Sequence, residues 1–217
     1  MYVGRIVAIG MNEDGRTAAM YRVSSRSFPN RRATINDGAI SIIPKEGFEN
    51  DIYKNPYIAY NCLRLVNGSA VATNGAHTDP IAEKIVAGTP VRDAMTHALL
   101  AMDYEKDMYN TPRIAAVVRA RERHAVLGIV RRDAILVREF ELKPKTVYYV
   151  ATYEHNAPRS KYSDQEFTMQ NAEECCSFML GGGVFADLER PVTAACAMET
   201  SEGHFERAIK DAPPTPS

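Results

Sequence analysis

The chain has no surplus of either charge: 26 basic residues face 27 acidic ones over 217 positions, a formal net charge of −1. General binding to nucleic acid or to an anionic membrane depends on many Lys/Arg–phosphate contacts, so both partner classes are excluded. Cysteine is scarce as well. Cys62, Cys175, Cys176 and Cys196 form no CxxC pair, and all four read as reduced, mostly buried thiols. The five histidines show no HxxxH spacing and no nearby ligand cluster, so no zinc site or other cofactor is called for. No apolar run approaches the roughly 18 residues of a membrane-spanning helix, and the N-terminus lacks a signal-peptide pattern. The expected location is therefore the cytoplasm. GxSxG, P-loop and GxGxxG fingerprints are also missing. What is present is the composition of an ordinary globular protein, long enough to bury roughly 70% of its unfolded surface without staples.

The apolar pattern reads mostly as strands. YVGRIVAIG, residues 2–10, is apolar on both faces, which suits a strand inside a layered structure. Gly15 ends a turn into a second strand at 17–24, and further strands are expected at 38–44, 63–73, 113–119, 125–131, 134–140 and 146–153. Asp79-Pro80 and Thr89-Pro90 open two helices, the second with an apolar stripe of Val91, Met95, Ala98, Leu99 and Met102. A third helix starts at Asn171, with Glu174 in the capping-box position, and stops at Gly181-Gly182-Gly183. These elements predict an α+β fold as a single domain over residues 1–209, with a proline-rich, disordered tail at 210–217.

Polar side chains gather in four islands at the edges of these elements. YRVSSRSFPNR, residues 21–31, holds Arg22, Arg26 and Arg31 with Ser24, Ser25 and Ser27. Guanidinium groups bind phosphate bidentately and serine hydroxyls complete the cradle, while Phe28 offers a flat wall for a heterocycle. A solvated arginine-rich turn would have the same composition. NPYIAYNC, residues 55–62, presents Tyr57, Tyr60 and Asn61, a proton donor and an amide reader, or simply a strand edge with wet hydroxyls. In TNGAHTDP, residues 73–80, Asn74-Gly75 turns the chain into a helix N-terminus beside His77. MDYEKDMYNTPR, residues 102–113, puts acidic residues after a helix C-terminus, where the dipole disfavours them. That island is either a local charge patch or a buried base, Glu105, tuned by Lys106 or Arg113.

Taken in this order, the islands resemble the archaeal-type inosine monophosphate (IMP) cyclohydrolase family. The matching segments are YRVSSRSFPNR, NPYIAYNC, NGAHTD and LLAMDYEKDMYNTPRIAA, with MYVGRI at the start and GGGVFA and PVTAACA near the end. Residues 119–146 and the tail depart from the pattern. The resemblance implies the four-layer αββα sandwich of N-terminal-nucleophile hydrolases, although Tyr2 is a poor nucleophile and disfavours removal of Met1. It also implies ring closure of 5-formamido-imidazole-4-carboxamide ribonucleotide to IMP and water, by acid–base catalysis without a covalent intermediate.

Within that resemblance Tyr60 is the expected proton donor, Glu105 the base and Arg26 a third catalytic group. Arg22, Arg31, Ser24, Ser25 and Ser27 would hold the phosphate or the developing oxyanion. Asn30, Asn61, Asn74 and His77, with Gly75 in their turn, would read base and ribose. Phe28 and Tyr104 would stack, and Arg113 would orient Glu105 or the carboxamide. No cofactor, metal or folate is implied. The partners would be the nucleotide and further copies of the chain in a homo-oligomer. Two other readings share these islands: an amidohydrolase of the same fold class, and a purine-monophosphate sensor without turnover.

Overall fold

The structure, a computed structural model, describes residues 1–213. Along the chain run β1 (Ile6–Met11), β2 (Thr17–Ser24), β3 (Arg31–Asn36), β4 (Ala39–Pro44), α1 (Asp51–Lys54), β5 (Tyr60–Val66) and β6 (Ser69–Thr73). Then follow α2 (Thr78–Val86), α3 (Val91–Met102), β7 (Arg113–Arg119), β8 (His124–Arg131), β9 (Ala134–Glu141) and β10 (Thr146–Ala151). The last elements are β11 (Ser163–Asp164), α4 (Ala172–Gly181), β12 (Pro191–Glu199) and β13 (Phe205–Asp211). The strands form two antiparallel sheets, ordered β11-β10-β1-β2-β12-β13 and β3-β4-β5-β6-β7-β8-β9, so the class is α+β as expected.

Strand alternation explains the packing. On β2, Ala19, Tyr21 and Val23 face the second sheet, while Ala18 and Met20 face α4. On β7, Ile114, Ala116 and Val118 face the first sheet, while Ala115 and Val117 meet Ala94, Met95 and Leu99 of α3. Three apolar layers result: one between the sheets, one beneath α4 and one beneath α2 and α3. Strands buried on both faces need apolar residues at successive positions, which is the pattern seen in β1 and β12.

Several boundaries differ from the sequence reading. The strand expected over 63–73 is a hairpin, because Asn67 and Gly68 both take positive φ (45° and 69°) and make a two-residue turn. The first strand begins at Ile6 rather than Tyr2. The backbone turns aside at Gly4 (φ 75°), where a side chain would collide with Thr152 and Tyr153. Asp79 does not cap α2; His77 holds that position, and the Asp79 carboxylate accepts instead from Asn61 and Arg64. Asn171 caps α4 as read, its Oδ1 accepting from the Glu174 N–H at 2.9 Å. The edge strands β3 and β13 and the buried β12 were not anticipated. Lys210 and Asp211 continue β13 and are not part of a tail. Residues 214–217 lie outside the described residues.

Candidate active site

A cleft of about 240 Å³ opens where loops from both sheets converge. Its lining comes from the segment before β1, the β2–β3 loop, the stretch between α1 and β5, the loop after α3 and the end of β10.

The floor is an ion pair. The turn at Gly4 delivers Arg5, whose Nη1 and Nη2 donate to Glu105 Oε1 and Oε2 at 3.2 and 2.7 Å. Nη1 also donates to the Asn74 carbonyl at 3.0 Å. Arg113 approaches from behind, its Nη1 lying 3.8 Å from Glu105 Oε1 while its Nε donates to the Asp103 carbonyl. Glu105 is 1% exposed, so this carboxylate meets two guanidinium groups away from bulk water. Burial by itself lowers the pKa of Arg5, but Glu105 and the phenols of Tyr60 and Tyr21 outweigh it and raise that pKa well above the ordinary arginine value. Beside this pair the hydroxyls of Tyr21 and Tyr60 meet at 2.6 Å across the space between the sheets.

The rim is the β2–β3 loop. Ser24, Ser25, Arg26, Ser27, Phe28 and Arg31, all from the first island, line the cleft. Ser25 Oγ accepts from the Phe28 N–H, and Arg31 Nε donates to the Phe28 carbonyl, so the loop is braced by its own side chains. Arg31 is buried. Arg26 is exposed at the mouth, over the Tyr2 ring and paired with Glu189 at 3.3 Å.

Other expected site residues do different work. Arg22 points to the α4 side of its sheet. There its guanidinium donates to Ser24 Oγ and to the carbonyls of Met179, Phe185, Leu188 and Glu189, leaving nothing for a phosphate. Burial lowers its pKa to about 10. Asn74 is fully buried, its amide donating to the Pro112 carbonyl and accepting from the Ile114 N–H. Asn61 is tied to Ser41 and Asp79, and Asn30 accepts from Lys45 N through its carbonyl. Tyr104 lies under the Lys106 ammonium, 3.5 Å from its ring centre. None of these five lines the cleft.

His77 is also buried behind the floor. Its Nε2 lies 2.9 Å from the Ile114 carbonyl, an oxygen that only accepts, so Nε2 carries the proton and Nδ1 is a bare acceptor. Burial, then the nearby Arg113 charge, lowers the His77 pKa to about 3. Gly75 sits beside this group, and Tyr60 is buried and does not line the cleft. The sequence reading missed Arg5, Tyr21, Thr111 and Tyr153. For Arg5 a signal existed: a lone charge inside a segment apolar on both faces.

Known proteins are similar to this chain over most of its length. The family described as IMP cyclohydrolase-like protein matches residues 2–203. A protein named IMP cyclohydrolase from Methanosphaera stadtmanae is 46% identical over 206 residues, covering 95% of this chain and 98% of its own. One of the same name from Methanocella arvoryzae is 46% identical over 215 residues, 98% of this chain and 100% of its own. Another from Methanocaldococcus jannaschii is 42% identical over 205 residues, 94% and 96% of the two chains.

Proposed function

The chain belongs to the IMP cyclohydrolase-like family, and from that premise we propose that its cleft closes the second ring of IMP. The reaction joins the carboxamide nitrogen of 5-formamido-imidazole-4-carboxamide ribonucleotide to the formyl carbon of the same molecule and expels the formyl oxygen as water. The observation that carries this reading is the meeting, in one cleft, of an arginine–serine rim with the buried Arg5–Glu105 pair, beside which the Tyr21–Tyr60 pair is packed.

The nucleophile belongs to the substrate, so the protein has to orient, accept and donate. Holding the two reacting groups in line is worth roughly 7–11 kcal/mol of the barrier. Arg26 and Ser27 at the mouth suit the phosphate, with Arg31 deeper on the same loop. Glu105 accepts the proton of the attacking nitrogen, and Arg113 and Arg5 fix its direction. Tyr60 donates to the formyl oxygen, and the Arg5 charge stabilises the oxyanion. Phe28 and Tyr57 offer aromatic faces to the base.

The layer order also fits the N-terminal-nucleophile hydrolase fold. A single domain, cytoplasmic placement and a homo-oligomer complete the proposal. The test is to incubate metal-free protein with the formylated ribonucleotide and follow IMP by chromatography. Product above the uncatalysed rate supports the reading. Tight IMP binding without turnover would favour a sensor instead.

A further inference from the structure

Tyr21 was not anticipated from the sequence and does not line the cleft, yet among the described residues it makes the one side-chain hydrogen bond of Tyr60. It stands on β2, on the face that looks into the space between the sheets, and its ring is fully buried. Tyr60 starts β5 on the opposite sheet and is 8% exposed. The two rings meet edge-on with centroids 6.4 Å apart, and the hydroxyl oxygens lie at 2.6 Å. Among the described residues the Tyr21 hydroxyl has no other partner. A phenol has one proton to donate and can also accept. With a single neighbour, Tyr21 either donates to Tyr60, which leaves the Tyr60 proton free to point away, or accepts that proton and turns it back into the core.

We propose that Tyr21 is a positioning residue for ring closure: its hydroxyl donates to the Tyr60 oxygen, aims the Tyr60 proton at the cleft, and holds that oxygen once the proton has left. The inference rests on Tyr60 being the proton donor. Burial, followed by the neighbouring Tyr60, raises the Tyr21 pKa well above the ordinary phenol value, although Arg5 and Arg31 pull in the other direction. The Tyr21 proton therefore stays in place. A phenoxide on Tyr60 would keep the Tyr21 hydrogen bond and the attraction of Arg5, and hydrogen bonds to charged groups are the stronger kind.

The proton inventory closes on these groups. As the carboxamide nitrogen bonds to the formyl carbon, the carbonyl π pair moves to oxygen, which takes the Tyr60 proton, while Glu105 takes one proton from the nitrogen. In the second half the carbon–oxygen bond breaks and the hydroxyl leaves as water with the Glu105 proton. The remaining formamide N–H then returns its proton to the Tyr60 phenoxide. Both side chains end as they began, and Tyr21 never gives up its proton.

Tyr21→Phe removes one oxygen and keeps the ring. It should lower kcat by about tenfold or more, with KM and IMP affinity unchanged, since the phenol acts only when charge develops. In a Tyr60→Phe background the same change should have no further effect, because the hydrogen bond it removes is already gone. An unchanged kcat in Tyr21→Phe, or losses that simply multiply in the double variant, would overturn the proposal. Should Tyr21→Phe lose IMP binding, 3-fluorotyrosine at position 21 keeps shape and donor. It must then change kcat with binding intact, and no change would equally count against the idea. Full activity of Tyr60→Phe alone would instead show that the donor reading itself has failed.

Discussion

Gly75 has no side chain, and Arg113 occupies the room that leaves. A β-carbon there would lie 2.7 Å from Arg113 Nη1, 3.3 Å from His77 Nδ1 and 3.4 Å from Glu105 Oε1. Gly75→Ala should therefore displace the guanidinium from Glu105. The loss is expected to be at least about tenfold in kcat, with thermal stability changed by less than about 1 kcal/mol, because the far end of a flexible side chain is what moves. Steady-state kinetics beside a melting curve checks this. His77 carries a second prediction at the same scale. Its folded pKa of about 3 lies below the ordinary value near 6.5, so between those values the unfolded chain binds the extra proton. Stability is then fully present above about pH 6.5 and falls by up to about 1.4 kcal/mol per unit as pH drops toward 3. His77→Gln, which does not titrate, should flatten that slope in urea unfolding at pH 7.5, 6 and 5. An unaltered slope would assign the acid sensitivity elsewhere.

At the scale of elements, two positions separate backbone demands from site demands. Gly68 completes the β5–β6 turn with φ 69°, and a β-carbon there meets no atom within 4 Å. Gly68→Ala should cost about 1 kcal/mol through backbone strain alone, with catalysis unchanged. Arg22 ties β2 to α4 and the stretch after it by donating to four carbonyls. Arg22→Met would leave those buried acceptors without donors, at about 1–3 kcal/mol for each one that finds no water. A fall in melting temperature is expected, whereas any remaining folded enzyme should keep its KM. A raised KM at unchanged stability would return Arg22 to the phosphate site. Regular elements were legible where one feature dominated, such as the Asn171–Glu174 cap of α4 or the apolar stripe of α3. The β5–β6 hairpin was not, because apolar residues on both flanks hid the Asn67-Gly68 turn inside what read as one strand.

For the whole molecule, stacking two sheets brings distant segments to one cleft. Arg5 and Glu105 are separated by 100 positions and still form its floor, and Tyr21 and Tyr60 meet only because their strands face each other across the sheet interface. Arg5→Met should leave Glu105 buried against Arg113 alone, costing about 3–5 kcal/mol by removal of one partner from a buried pair. Denaturant midpoints would register that loss, and an unaffected midpoint would mean that water already reaches the floor. Composition and local pattern sufficed for the class of fold, the rim loop Ser24–Arg31 and the family resemblance, since each depends on residues near one another in the chain. The assignment of individual arginines did not follow from the same information. Strand parity puts Arg22 and Tyr21 on opposite faces, but which face looks toward α4 and which toward the second sheet depends on what packs there. Only the packed sheets turn Arg22 into a brace and Arg5 into the floor of the site, because a guanidinium takes its role from whichever carbonyl or carboxylate the fold sets within about 3 Å of it.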